Sequence, residues 1–219
     1  FVRRRTLVVG VRSGVGLATA RAMADCDEVY GWSRSQVIVQ GVTTSQVDVT
    51  ESTQVAAAFE LYPAPMDLVI FCAATADFGK IGHQLPMDWI HTVETNVGGA
   101  YNTLDGHVRR FGHLPNRTIL VGSEAAYSGQ VGRSAYHASK AALDNFALSL
   151  RQEARSTGGS VCLLNPGRID TEFTPRAEGR PAVSLAVSHV VAAIQFMASQ
   201  PNAVAIERLD IQRVLPKNN

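Results

Sequence analysis

Tyr136 and Lys140 stand four residues apart in an alanine- and leucine-rich stretch, Tyr136 to Arg155, whose spacing predicts one long helix. On a helix that interval puts both side chains on one face. A phenol titrates near pKa ~10 and is a poor proton donor or acceptor at neutral pH. An ammonium beside it stabilises the phenolate and brings the pKa down, which is the tuning a tyrosine acid–base needs. Ser123 closes the strand expected over Thr118–Val121 and so sits near the carboxyl edge of a sheet, where its hydroxyl can hold a carbonyl or alcohol oxygen. A Tyr–Lys pair alone is an ordinary packing pair. The serine at a strand end, together with a glycine loop near the start of the chain, tips the balance toward proton transfer.

That loop is Gly10-Val11-Arg12-Ser13-Gly14-Val15-Gly16, with the spacing G-x-x-x-G-x-G between a first strand and a first helix. Glycine permits the tight turn and lets backbone approach a pyrophosphate, and the helix offers unpaired N–H groups and the positive end of its dipole. On the motif alone, close strand–helix packing explains the glycines equally well. Its place in the first βα turn favours a dinucleotide. At the end of the second strand, where a carboxylate would hold the ribose hydroxyls of NAD, the residues are Ser33 and Arg34. A guanidinium pairs with a 2′-phosphate that a carboxylate would repel, and Arg12 can approach the same phosphate. NADP(H) is therefore expected in preference to NAD(H). The alternative is that Arg34 is a solvated loop residue.

Short β-branched runs alternate with longer helical stretches along the chain. Strands are expected at Thr6–Val9, Glu28–Trp32, Val42–Val47, Asp67–Cys72, Thr118–Val121, Val161–Leu164 and Val204–Ile211. Helices are expected at Leu17–Ala24, from a Thr50 cap through Leu61, at Asp88–Arg110 and Tyr136–Arg155, and from a Ser188 cap through Met197. This alternation predicts an α/β, doubly wound parallel sheet, Rossmann-like, of about seven strands with helices on both faces. The ligand is expected outside the carboxyl ends of the strands. Only Ser33–Gly41 separates the second and third strands, which is short for a parallel crossover, so an irregular connection is expected there. Residues 1–219 read as a single dinucleotide-binding and catalytic domain.

The chain has 219 residues, 46% hydrophobic, with a formal net charge of +1. That balance calls for neither nucleic acid nor an anionic membrane, and Arg3-Arg4-Arg5 reads as a solvated strand entry. Cys26, Cys72 and Cys162 form no C-x-x-C pair and read as reduced, core or near-core residues of a cytoplasmic protein. No signal peptide or membrane span is seen. Asn116-Arg117-Thr118 is a chance sequon. The six histidines show no metal spacing, so no metal is expected. Ser123 lacks the Gly-x-Ser-x-Gly elbow of a hydrolase.

Taken in order, these motifs resemble the short-chain dehydrogenase/reductase family. Tyr136-His137-Ala138-Ser139-Lys140 matches its Y-x-x-x-K, and Ser123 lies at the usual interval of thirteen residues. The loop matches T-G-x-x-x-G-x-G with Val9 in place of threonine. Asn96 matches the asparagine that supports a proton-relay water, Asp48-Val49 the pair that contacts adenine, and Pro166-Gly167-Arg168-Ile169-Asp170-Thr171 the P-G-x-x-x-T segment beside the nicotinamide. The resemblance implies that Tyr136 moves the proton and Ser123 holds the reacting oxygen. Lys140 lowers the tyrosine pKa and binds the nicotinamide ribose, and Asn96 with a water connects Lys140 to solvent. Cofactor contacts then fall to Gly10, Arg12, Ser13, Gly14, Val15, Gly16, Ser33, Arg34, Asp48, Val49, Ala73, Ala74, Tyr136, Lys140, Pro166, Gly167, Ile169 and Thr171. Two departures stand out. Val9 removes a hydroxyl that braces the loop. Phe71-Cys72-Ala73-Ala74 replaces the family's N-N-A-G, losing the asparagine that holds the central strand.

The resemblance also implies a homodimer or homotetramer through the helices Asp88–Arg110 and Tyr136–Arg155. The implied substrate is a small carbonyl or alcohol compound, under a short lid over Glu172–Ser184 carrying Phe173, Arg176 and Arg180. Its charges suit a small or anionic carbonyl compound, with plain surface charge as the default reading. Glu124, Tyr127, Gln130, Arg133 and His137 are candidates to line the pocket. The leading expectation is an NADPH-dependent carbonyl reductase or alcohol dehydrogenase. A catalytically silent dinucleotide sensor on the same fold is the alternative. A sugar-nucleotide epimerase or dehydratase ranks last, since little chain follows Thr171 for a substrate domain.

Overall fold

The computed structural model describes residues 3–171 and 184–214. Seven parallel strands form one sheet in the order β3-β2-β1-β4-β5-β6-β7. They are β1 (Arg5–Val9), β2 (Glu28–Ser33), β3 (Val42–Gln46), β4 (Leu68–Phe71), β5 (Arg117–Val121), β6 (Ser160–Pro166) and β7 (Arg208–Ile211). The helices are α1 (Gly14–Ala24), α2 (Ser52–Glu60), α3 (Pro86–Val93), α4 (Gly99–Phe111), α5 (Ser134–Ser156) and α6 (Val187–Ala198).

The central strands carry apolar residues on both faces because both faces are covered. Leu7, Val9, Val69, Phe71, Leu120 and Leu163 pack under α2, α4 and α5. Val8, Leu68, Ile70, Ile119, Cys162 and Leu164 point the other way, onto α1 and α6. Helix α5 buries Ala135, Ser139, Leu143, Ala147, Leu150 and Ala154, one stripe at helical spacing. The order reverses between β1 and β4, which places the crevice that binds ligands in such sheets outside the carboxyl ends of these two strands.

Residues 34–41 contain no helix. They span the gap between β2 and β3 by burying Val39, by a hydrogen bond from Thr44 Oγ1 to the Val37 carbonyl (2.7 Å), and by a left-handed Gly41 (φ 77°).

Several local expectations change. Thr50 does not cap α2: its N–H and hydroxyl both donate to Asp48 Oδ1 (3.0 and 2.7 Å), and Glu51 occupies the cap position. Ala186, not Ser188, precedes α6. The last strand begins at Arg208, four residues late. The long helix expected over Asp88–Arg110 is α3 and α4 joined by a π-helical turn, Glu94–Gly98. One extra residue in that turn aims Asn96 inward, and such turns recur at functional sites. Cys26 is exposed, not near-core.

The basic run is not simply solvated. Arg3 donates to the Asp25 carbonyl (2.7 Å), Arg4 to Asp27 and the Ala198 carbonyl, and Arg5 to the Pro65 carbonyl (2.9 Å). Thr118 of the sequon is buried in the central sheet.

Candidate functional site

At the carboxyl edge a cleft of about 650 Å³ runs from the end of β2, across β1 and β4, to the start of α5. The glycine loop forms its floor. Gly10 has φ 98°, and a Cβ there would lie 2.7 Å from the Ala73 nitrogen; one at Gly16 would lie 2.1 Å from the Gly10 carbonyl oxygen. Only glycine permits this stacking of strand, loop and helix. The brace absent at Val9 is supplied by backbone: the Gly10 and Val11 N–H groups both donate to the Trp32 carbonyl (2.8 and 3.0 Å). Ser13 precedes α1 without a side-chain cap bond, so the first N–H groups of an 11-residue helix face the cleft. An open glycine cradle under an uncapped helix terminus fits a pyrophosphate.

All the sequence-selected residues of this loop line the cleft: Gly10, Arg12, Ser13, Gly14, Val15 and Gly16. At one end stand Ser33 and Arg34 after β2, with Asp48 and Val49 after β3. Arg12 and Arg34 are both exposed. Arg12 Nη1 reaches Ser35 Oγ at 3.3 Å, and Arg34 Nη1 lies 3.4 Å from His91 Nε2. The Asp48 carboxylate accepts from the Thr50 N–H and hydroxyl (3.0 and 2.7 Å), which fixes its orientation. Ala73 and Ala74 line the middle, and Pro166, Gly167, Ile169 and Thr171 the far wall.

Ser123, Tyr136 and Lys140 meet at that far end. Ser123 caps a short 3₁₀ turn, Glu124–Tyr127, its Oγ accepting from the Ala125 N–H (3.1 Å), and it hydrogen-bonds the Tyr136 side chain. Lys140 is buried, with Nζ donating to the Val121 carbonyl (2.9 Å). Burial pushes its pKa down from 10.5 to about 8.

The tyrosine departs from expectation. Burial pushes its pKa up; the Ser123 hydrogen bond and the Arg133 charge oppose this without overcoming it. The Lys140 ammonium lies 5.7 Å from the ring centroid and donates to the Val121 carbonyl.

Asn96 is fully buried and does not line the cleft. Its amide brackets Thr75, accepting from the N–H (2.8 Å) and donating to the carbonyl (3.0 Å), and it also donates to Ser139 Oγ (2.9 Å). It thereby secures the chain after Phe71–Ala74, the segment that lacks the family's asparagines. Phe71 joins the core, and Cys72 sits beside Lys140 with burial pushing its thiol up to about 12, which makes it a poor nucleophile.

Glu124, Gln130, Arg133 and His137 line the cleft around Tyr136; Tyr127 does not. Arg133 lies over the Phe78 ring at 4.7 Å. Phe173, Arg176 and Arg180 lie outside the described residues. Sequence reasoning missed Phe78 and Asn165, the latter buried and accepting from the Ser123 N–H (3.0 Å). Asn165 directly precedes Pro166-Gly167, and that adjacency was the available signal. The described residues hold no cluster of metal-ligating side chains and no helix long and apolar enough to cross a membrane.

Residues 4–180 match the family model described as short chain dehydrogenase. The chain is 32% identical to 2,3-dihydro-2,3-dihydroxybenzoate dehydrogenase of Escherichia coli, covering 79% of this chain and 72% of that protein. It is 28% identical to the 3-oxoacyl-[acyl-carrier-protein] reductase MabA of Mycobacterium avium, covering 91% and 84%. Among solved structures, serine dehydrogenase in its closed form with NADP⁺ superposes with a TM-score of 0.83 at 22% identity, covering 95% of this chain and 94% of the other. With the family model, the relatives and the fold in agreement, the chain belongs to the short-chain dehydrogenase/reductase family of NAD(P)-dependent oxidoreductases.

Proposed function

We propose that the chain is an NADP(H)-dependent carbonyl reductase or alcohol dehydrogenase acting on a small molecule. One observation carries the reading: a single cleft joins the glycine cradle and two exposed arginines at one end to the Ser123–Tyr136 hydrogen bond at the other.

The cradle and the first turn of α1 would hold the pyrophosphate, and Arg12 and Arg34 the 2′-phosphate. Asp48 and Val49 would border the adenine, and Thr171 with Pro166-Gly167 and Ile169 the nicotinamide. When bound, the nicotinamide supplies or receives the hydride. Ser123 holds the reacting oxygen, and the hydroxyl of Tyr136 gives it a proton in reduction or takes one in oxidation. Burial leaves the Tyr136 phenol protonated but a weaker acid, so efficient proton transfer calls for positive charge brought beside it. Lys140 is poised to leave the Val121 carbonyl for a ribose hydroxyl, and the added charge beside the phenol would then favour the phenolate. Asn96 acts from behind, holding Thr75 and the π turn through which a relay water would reach Lys140.

NADP(H) preference draws support from the solved structures of similar fold with NADP bound, and from Ser33 and Arg34 standing at the end of β2 in place of an Asp or Glu. An oligomer, dimer or tetramer, fits the apolar side chains that α4 and α5 leave exposed, Tyr101 and Leu148 among them. Three unpaired cysteines fit a reducing cytoplasmic setting.

Fluorescence titration with NADPH and with NADH tests the site without a substrate. NADPH is expected to bind much more tightly. NADH preference would discard the role given to Arg12 and Arg34, and binding of neither would end the enzyme reading. Tyr136→Phe is expected to bind NADPH normally and to lose roughly 10²–10⁴-fold in turnover of whichever carbonyl a panel identifies. Normal turnover in that variant refutes the mechanism. NADPH binding with no turnover anywhere in the panel points to a silent sensor.

A further inference from the structure

Ser123 is the residue meant to hold the reacting oxygen, yet its own position is set from the neighbouring strand, β6. Its backbone N–H donates to Asn165 Oδ1 (3.0 Å). The Asn165 amide donates to the Tyr127 hydroxyl (2.6 Å), and that hydroxyl donates in turn to the Asp144 carboxylate on α5. The donors all run one way, from backbone N–H through amide and phenol to a carboxylate, so each group has the partner its chemistry needs. Arg208 of β7 closes the chain: its guanidinium lies over the Tyr127 ring at 4.4 Å and 3.9 Å from Asp144 Oδ2.

Two further observations show that the position is built. Asn165 is 1% exposed, the next-to-last residue of β6 before the cleft wall. Gly122 gives it room, since a Cβ there would stand 1.9 Å from Asn165 Oδ1. None of these three side chains, Asn165, Tyr127 or Asp144, lines the cleft.

We infer that Asn165, oriented by Tyr127 and Asp144, is the positioning residue for Ser123, fixing the serine hydroxyl against Tyr136. The inference rests on the proton-transfer reading of Ser123 and Tyr136. A loosened Ser123 would give up part of the hydrogen bond that restrains the rise in the Tyr136 pKa. The phenol of Tyr136 should therefore titrate higher when Asn165 is lost, even with no substrate present.

The test compares wild type, Asn165→Leu and Tyr127→Phe in three measurements. These are NADPH titration, kcat and KM on the best carbonyl of the panel, and an ultraviolet difference titration of phenolate absorbance against each protein's Tyr136→Phe counterpart. Asn165→Leu is expected to keep NADPH affinity, to lose roughly tenfold or more in kcat with little change in KM, and to raise the Tyr136 titration. Tyr127→Phe should move both readouts the same way by less, and it carries the test alone if Asn165→Leu does not fold. Unchanged kcat and unchanged Tyr136 titration in folded variants overturn the inference. If the wild type turns over no carbonyl, the proton-transfer reading fails on that ground, while the phenolate titration still decides whether Asn165 sets the Ser123–Tyr136 contact.

Discussion

The two edges of the sheet each gather arginines and use them in opposite ways. At the amino edge, Arg117 is 4% exposed and donates to Ser160 Oγ and to the carbonyls of Met197, Ala198, Gln200, Pro201 and Val204. Arg4 joins it on the Ala198 carbonyl. At the carboxyl edge, Arg12 and Arg34 are exposed and reach one polar neighbour each, at 3.3 and 3.4 Å. A guanidinium has five N–H donors. Where protein acceptors consume them the residue is structural; where they face a cleft they can recognise an anion. Charge counted along the chain cannot separate the two.

Four experiments press on this contrast, the largest effect first. Arg117→Met strips partners from several buried carbonyls and should cost roughly 3–5 kcal/mol in a urea melt, while the folded fraction binds NADPH as before. Loss of affinity without loss of stability would reverse the assignment.

His107 tests burial itself. It accepts from the Met66 N–H (3.0 Å), so its proton sits on Nδ1, facing the His113 carbonyl (2.9 Å), and burial holds its pKa down from 6.5 to about 4. The unfolded chain binds that proton first as pH falls. Up to about 3 kcal/mol should therefore be lost between pH 6.5 and 4, and a His107→Gln variant should lack that step in its acid melt.

Lys140 has the same sign in a higher window. Its depressed pKa means that stability is gained as pH rises from about 8 to 10.5 and is missing below. Lys140→Met should raise the unfolding free energy at neutral pH by about 1–3 kcal/mol while abolishing turnover. A destabilised variant would show that the ammonium serves the fold. Smallest is Arg34→Ala, which should weaken NADPH binding roughly tenfold, leave NADH binding and the melting temperature alone, and so mark the cleft arginine as recognition only.

The architecture was legible because both-face burial writes continuous apolar runs such as Leu68–Phe71, and because the helices between them keep one apolar stripe. Element ends were less so. Thr50 and Ser188 have capping chemistry, but Asp48 claimed Thr50 and the chain entered α6 two residues early. The π turn at Glu94–Gly98 shows in the sequence only as a shift in phase between two amphipathic stretches, which reading Asp88–Arg110 as one helix passes over. Of the site, the glycines and the Ser–Tyr–Lys set came from spacing. The bracket that Asn96 forms around Thr75, the Lys140–Val121 bond and the Asn165 contact depend on which carbonyls face inward, and those are fixed only by the assembled sheet.

The Arg117 guanidinium also sets an order of events during synthesis. Its farthest partner, the Val204 carbonyl, lies 87 residues downstream. At roughly 5–20 residues per second, the cation emerges about 4–17 seconds before its last acceptor exists. Until then the guanidinium has only water to satisfy the donors that its carbonyl partners later take. The cage around Arg117 is therefore a late-made part of the fold, and a chain cut before residue 197 would lack all five of its carbonyl acceptors.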